Sequence, residues 1–226
     1  MRSVRVLAFV AAGVALGACS SGPSPTPTPA CPTAAPTAAE AAAILADASR
    51  AVVATSKGTF TIELDATSAP IAVANFVALA RCGYYDGVTF HRVIPGFVAQ
   101  AGDPQTRTNR DDFAGLGTGG PGYRFEVELP DSSLRYARYM VAMANALQYD
   151  LNTGAIQGGT DTNGSQFFIA LADVPTLRPY YSLLGRVVAG TDVVDAIGAV
   201  ATSQRDVPLE AVIIQSIRVE GAAEPS

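Results

Sequence analysis

The sequence predicts a mainly β fold, a barrel of many short strands accompanied by two helices. Three observations lead there. Phe60, Ile62 and Leu64 alternate with Thr61, Glu63 and Asp65, the period of a strand with one buried face. Val93 and Ile94 before the Pro95-Gly96 break, and Phe97 and Val98 after it, read as two further short strands about a turn. Helical spacing, by contrast, is confined to the stripe Val73, Phe76, Val77 and Ala80 and to a short segment at 191–197. Many short strands with few helices suit a barrel.

The elements follow in order. Residues 51–55 and 59–65 are expected as strands around a Ser56-Lys57-Gly58 turn. Ser68 is placed to cap the first helix, with Pro70 in its first turn and Gly83 after its end. Tyr84-Tyr85-Asp86-Gly87 turns the chain into residues 90–103, FHRVIPGFVAQAGD. There Phe97, Ala99 and Ala101 fall on one strand face, and Val98, Gln100 and Gly102 on the other. A bend at Pro95-Gly96 would still bring Arg92, Phe97 and Gln100 to one cleft. Residues 103–123, rich in Gly, Asp and Arg, are expected as a long flexible loop. Residues 139–143, 166–171 and 182–188 read as strands, Thr191 as the cap of the second helix, and 211–219 as the closing strand.

A length of 226 residues allows one domain and a tail. With 49% hydrophobic and 15% charged residues the chain is globular. Its net charge of −5 and single lysine, Lys57, leave no basic patch for nucleic acid. Residues 1–18 read as an export signal: Arg2 and Arg5, an apolar run, then Gly17-Ala18. Leu16-Gly17-Ala18-Cys19 resembles a bacterial lipobox, in which Cys19 becomes the lipidated first residue. A short membrane anchor or an ordinary cleaved signal are the alternatives, but the apolar run is short for a span. Residues 19–50, rich in Pro, Ala and Thr, are expected as a tether, extended to about Thr37 and then possessing enough alanine for a short helix. The domain is expected over 51–221, with a tail at 222–226. Together these features imply an extracytoplasmic protein, anchored to the bacterial cell membrane as a lipoprotein.

The chemistry can be narrowed from residue types. His91 is the only histidine, so a Ser-His-Asp or Cys-His site is conceivable. No Gly-x-Ser-x-Gly accompanies it, however, and a lone histidine within a strand motif is more often structural. One histidine and dispersed cysteines provide no metal-ligand spacing. The glycines near 117–122 lack the lysine of a phosphate-binding loop. Once Cys19 is lipidated, Cys31 and Cys82 remain, and an oxidising compartment favours a bridge between them. Independent burial of Cys82 is the alternative.

FHRVIPGFVAQAGD, with Met143-Ala144-Asn145-Ala146 and DTNGSQFFIA at 161–170, closely resembles the signature of the cyclophilins, the β-barrel peptidyl-prolyl isomerases. The resemblance covers roughly residues 51–221 and implies a closed barrel of eight antiparallel strands with a helix capping each end. It implies X-Pro isomerisation of unfolded or exported polypeptides, no cofactor, proline-containing polypeptides as partners, and a monomer. Arg92 matches the family's catalytic arginine. Phe97, Val98, Phe168 and Leu177 match the walls of the proline pocket, and Tyr181 falls where the family has a histidine. Gln100 matches the glutamine that steadies the arginine and the substrate backbone. Asn145 matches the residue whose main chain pairs with substrate, and Ala144, Ala146, Gln166 and Gly117 fall on the groove rim. Thr176 stands where the family often has a tryptophan. Residues 147–160 form an insertion beside Asn145. A proline-peptide-binding chaperone of the same fold, with little turnover, is the alternative function.

The chemistry needs neither nucleophile nor metal. Amide resonance sets a barrier of about 18–20 kcal/mol to rotation. A guanidinium near the proline nitrogen can donate to the lone pair that appears only in the twisted state, which is differential stabilisation.

Overall fold

Strand β1 (Arg50–Thr55) and strand β2 (Gly58–Leu64) form a hairpin in which Ala51 faces Ile62 and Val53 faces Phe60. All four are buried, so alternation along each strand becomes one apolar face of the pair. The computed structural model describes residues 28–108 and 115–221. Six more strands complete the sheet: β3 (Arg92–Ile94), β4 (Val98–Ala101), β5 (Met140–Met143), β8 (Phe167–Ala170), β9 (Leu183–Ala189) and β10 (Ile214–Glu220). A separate hairpin is made by β6 (Gln148–Tyr149) and β7 (Ile156–Gly158). The eight strands run antiparallel in the order β10-β1-β2-β9-β5-β8-β4-β3. The sheet curls until its two edges meet. Thr89 bridges Ile213, Phe90 N–H donates to Val212 O at 2.9 Å, and Ile214 N–H donates to Val88 O at 2.8 Å. This is the eight-stranded barrel expected.

The inner face carries one core. Ala99 and Ala101 of β4, Val141 and Met143 of β5, and Phe167 and Ile169 of β8 all join it. Helix α2 (Pro70–Arg81) adds Val73, Phe76 and Val77, and helix α3 (Thr191–Gly198) adds Val194 and Ile197. Phe76 meets Phe167 edge-on at 5.6 Å, a geometry that adds about 0.5–1.5 kcal/mol beyond area burial.

Both helix starts differ from expectation. Ala69 occupies the N-cap of α2, and the Ser68 hydroxyl instead donates to Asp65 at 2.6 Å. The free N–H groups of Ile71 and Ala72 donate to the Glu128 carboxylate at 3.1 and 2.7 Å. A carboxylate from a distant loop thus supplies both the acceptor and the charge that a helix N-terminus favours. At α3 the N-cap is Gly190, in a left-handed conformation (φ 70°), and Thr191 is the first helical residue. A Cβ on Gly190 would run into the Thr59 carbonyl, so close strand packing sets that residue.

A third helix, α1 (Ala38–Leu45), precedes the barrel. Thr37 caps it reciprocally with Glu40, whose carboxylate accepts from Thr37 N–H at 2.8 Å. Arg81 of α2 donates to Ile44 O and to Asp47, at 3.1 and 2.6 Å, and Cys31 is disulfide-bonded to Cys82. The folded unit therefore takes in residues assigned above to the tether, from Cys31 onward. The alanines of α1 are small enough to lie close against α2, and Ala41 is buried. The signal expected at 1–18, Cys19 and the tail expected at 222–226 lie outside the described residues.

Candidate active site

Strand β8 is buried at all four positions, although only one of its faces looks into the barrel. Its outer face is covered by a second apolar cluster, in which Val98, Tyr136, Ala142 and Phe168 are joined by Phe97, Leu177, Tyr181 and Ala144. Register explains the gathering. Arg92 faces Gln100, Gln100 faces Phe168, and Phe168 faces Ala142, a single row running from β3 through β4 and β8 to β5. Directly opposed residues share a face, so this row places a cation, an amide and an aromatic ring side by side.

The Pro-Gly break adds Phe97. Gly96 takes a positive φ (72°), and Phe97 N–H closes the turn on Ile94 O at 3.0 Å. Phe97 leaves the alternation of β4 and packs with Val98 on the outer cluster, while Ala99 and Ala101 stay in the core. Tyr136 anchors the opposite wall. Its hydroxyl donates to Tyr181 O at 2.7 Å and accepts from Tyr181 N–H at 3.1 Å. The Tyr181 ring stands perpendicular to Phe168 at 5.2 Å. Burial raises the Tyr181 phenol, the nearby Tyr149 raises it further, and Arg92 opposes both.

Arg92 lies at the rim, its side chain 42% exposed, with Nε 3.7 Å from an Asp206 carboxylate oxygen. Asp206 itself is left-handed (φ 62°), and its carbonyl accepts from Val93 N–H at 2.7 Å. Ser203 fixes that turn, accepting from the N–H groups of Arg205 and Val207.

On the other side of Gln100 opens a polar trough of about 850 Å³, lined by Gln100, Gly117, Ala144, Asn145, Ala146 and Gln166 among others. Gln100 Nε2 donates to Gln166 Oε1 at 2.9 Å, and Gln166 Nε2 donates to Gly119 O at 2.8 Å. Asp103, wholly buried, holds the far bank by accepting from Gly117 and Gly119 N–H at 2.7 and 3.1 Å. The apolar patch and the polar trough meet at Gln100 and Ala144. The patch can seat a proline ring, and the trough can follow a peptide backbone.

Residues 50–219 match the model of the cyclophilin type peptidyl-prolyl cis-trans isomerase/CLD family. The chain belongs to the cyclophilin-type peptidyl-prolyl cis-trans isomerases. A peptidyl-prolyl cis-trans isomerase of Helicobacter pylori is 39% identical over 155 residues, spanning 68% of this chain and 82% of that protein. A peptidyl-prolyl cis-trans isomerase-like 1 of Emericella nidulans is 38% identical over 174 residues, 75% of this chain and 94% of the relative. A crystal structure of a Cryptosporidium parvum cyclophilin in the presence of the dipeptide Ala-Pro superposes with a TM-score of 0.63 at 30% identity, covering 75% of this chain and 98% of that one.

Within this cyclophilin fold the residues singled out from sequence fall into two groups. Phe97, Val98, Phe168, Leu177 and Tyr181 gather in the apolar patch, with Arg92 at its edge. Gln100, Gly117, Ala144, Asn145, Ala146 and Gln166 line the trough. The side chain of Asn145 is engaged locally, donating to Tyr180 O at 2.8 Å and accepting from Leu147 N–H at 3.1 Å. The Gln100 amide nitrogen goes to Gln166, and the carboxylate beside Arg92 is that of Asp206. Thr176 is exposed next to Leu177. His91 is buried behind the site, and burial lowers its pKa to about 4 against the opposing pull of Asp103. It is a neutral structural residue.

Sequence reasoning missed Tyr136, Asp206 and Asp103. Asp103 closes the signature stretch, and its place before Pro104 marks the cap of the short 3₁₀ turn that it makes (Pro104–Arg107). Residues 115–119 of the long loop are consequently pinned rather than free, while 109–114 lie outside the described residues.

Proposed function

We propose that this isomerase accelerates X-Pro rotation in unfolded or exported polypeptides at the cell envelope, held there by a lipid on Cys19. The observation that carries the catalytic part is the row Arg92, Gln100, Phe168 beside the Phe97–Val98 wall. Proline binding is supported by the related structure obtained with Ala-Pro. The apolar patch grips the ring while the preceding carbonyl turns. Arg92 is half-exposed at the patch edge, where the imide nitrogen of a seated proline would lie. Its guanidinium has a proton to donate once rotation localises the nitrogen lone pair. The planar amide lacks that acceptor, so the bond strengthens only on the way to the twisted state. A ~10⁵-fold acceleration requires about 7 kcal/mol, more than one charge-assisted hydrogen bond of about 1.5–3 kcal/mol supplies. Desolvation by the patch and backbone pairing along the trough share the rest.

The envelope part rests on the basic start, the apolar run and the Leu16-Gly17-Ala18-Cys19 ending. Two experiments separate the parts. An exchange assay on an X-Pro peptide reads turnover, and binding without turnover would favour a chaperone module. Metabolic labelling with a fatty acid, with Cys19→Ala as control, reads the anchor. Unlabelled wild-type protein would refute the anchor and leave the enzyme untouched.

A further inference from the structure

The insertion between Ala146 and Asp161 folds as the β6–β7 hairpin, outside the barrel sheet, and is fastened to both walls of the site. One set of contacts grips the segment carrying Leu177 and Tyr181. The Tyr149 ring stands edge-on to Tyr180 at 4.9 Å, and the Tyr180 hydroxyl donates to Gly154 O at 2.5 Å. Arg178 donates to Leu151 O at 3.1 Å, and its guanidinium lies 5.9 Å from the Tyr149 ring centre. The gripped residues, Arg178 and Tyr180, sit between the two pocket residues in sequence. A second set holds the trough. Asn145 takes Leu147 N–H on one side and gives its own amide to Tyr180 O on the other.

Two glycines show that the seat is close-fitting. Gly154 is left-handed (φ +76°), and a Cβ there would collide with the Arg178 guanidinium and sit 2.9 Å from the Tyr180 hydroxyl. Gly159, also left-handed (φ +72°), would bring a Cβ into the Ala146 carbonyl. The segment from Leu177 to Tyr181 belongs to no strand or helix. It is held by Tyr136 and Phe168 beneath and by this hairpin beside it.

We propose that the hairpin is a positioning element for the proline pocket, with Tyr149 its principal contact. It holds Leu177 and Tyr181 against the proline ring and leaves Arg92 and Gln100, which β3 and β4 carry, unaffected. The proposal rests on the isomerase reading and deepens it.

Kinetics on an X-Pro peptide, combined with peptide titration, test it. Tyr149→Ala should raise KM and Kd together, roughly three- to tenfold, the size expected of a lost aromatic pair. The turnover number should stay within about twofold of wild type. Gly154→Val, which unseats the same hairpin by another route, should repeat this split, and Tyr149→Phe should restore wild-type values. The melting temperature should hardly move in any of them, since the hairpin is outside the core. Unchanged KM in both disruptive variants, or a fall in kcat at constant KM, would overturn the proposal. So would collapse of the barrel in both. If wild-type protein binds the peptide without turning it over, the isomerase reading fails, while the Kd comparison still decides the role of the hairpin.

Discussion

Asp206 sets its carboxylate 3.7 Å from Nε of Arg92, and its own carbonyl is bonded to the next residue of the same strand, Val93. The turn thus grips the strand that carries Arg92 by its backbone and sets a carboxylate beside the guanidinium. Both side chains are 42% exposed, so the pair contributes little to stability. Its use is orientation.

Asp206→Asn keeps a residue that tolerates the left-handed backbone and removes the charge. Turnover should fall by about two- to fivefold, the range of an exposed ion pair, with peptide affinity unchanged. Added salt should narrow the gap between variant and wild type, because screening weakens the pair in wild type alone. Rates compared at low and high ionic strength check this. An equal loss at both would point to a distorted turn.

His91 predicts a pH dependence of stability. Its folded pKa is about 4 against an ordinary 6.5, so the unfolded chain binds the proton more readily. The associated stability is fully present above about pH 6.5 and declines as the pH falls towards 4, by on the order of 3 kcal/mol. Urea unfolding of wild type and His91→Gln from pH 7 to 4 isolates it. The variant curve should be flatter over that range. Parallel curves would mean that His91 is not held neutral.

The Cys31–Cys82 bridge closes a separation of 51 residues and ties the segment before α1 to the end of α2, and neither cysteine lines the apolar patch or the trough. Reduction should lower unfolding free energy by about 2–4 kcal/mol and leave turnover intact. Thermal unfolding with and without reductant, alongside activity, checks both halves. Quantitative labelling of unreduced, denatured protein should find neither thiol free.

What the sequence made legible was whatever is carried by local order. Strands β1 and β2 announce themselves by alternation, and the Pro95-Gly96 break places Phe97, because the turn and its neighbours are contiguous. The motif residues Arg92, Gln100 and Phe168 are joined by register, which follows once the strands pair. Partners supplied from far along the chain left no local trace. Ser68 looks like the cap of α2, yet Glu128 takes that place from a loop. Nothing near Asp206 or Tyr136 in the sequence points to Arg92 or Tyr181. The alanine-rich stretch before the barrel has a composition fit for a linker, and only its contact with α2 shows that it belongs to the fold.

As proposed, Arg92 acts on the twisted amide and hardly on the planar one. Exchange spectroscopy of a proline peptide with wild type, Arg92→Ala, Arg92→Lys and Phe168→Ala reads affinity and interconversion in the same sample. Arg92→Ala should slow interconversion roughly 10- to 150-fold, the loss of one charge-assisted hydrogen bond, while affinity changes by no more than about twofold. Arg92→Lys should recover little, because a point ammonium does not replace the planar fork. Phe168→Ala should weaken affinity as well, since it opens the wall around the ring. Near-normal interconversion in Arg92→Ala would contradict the account and leave a proline-binding module in its place.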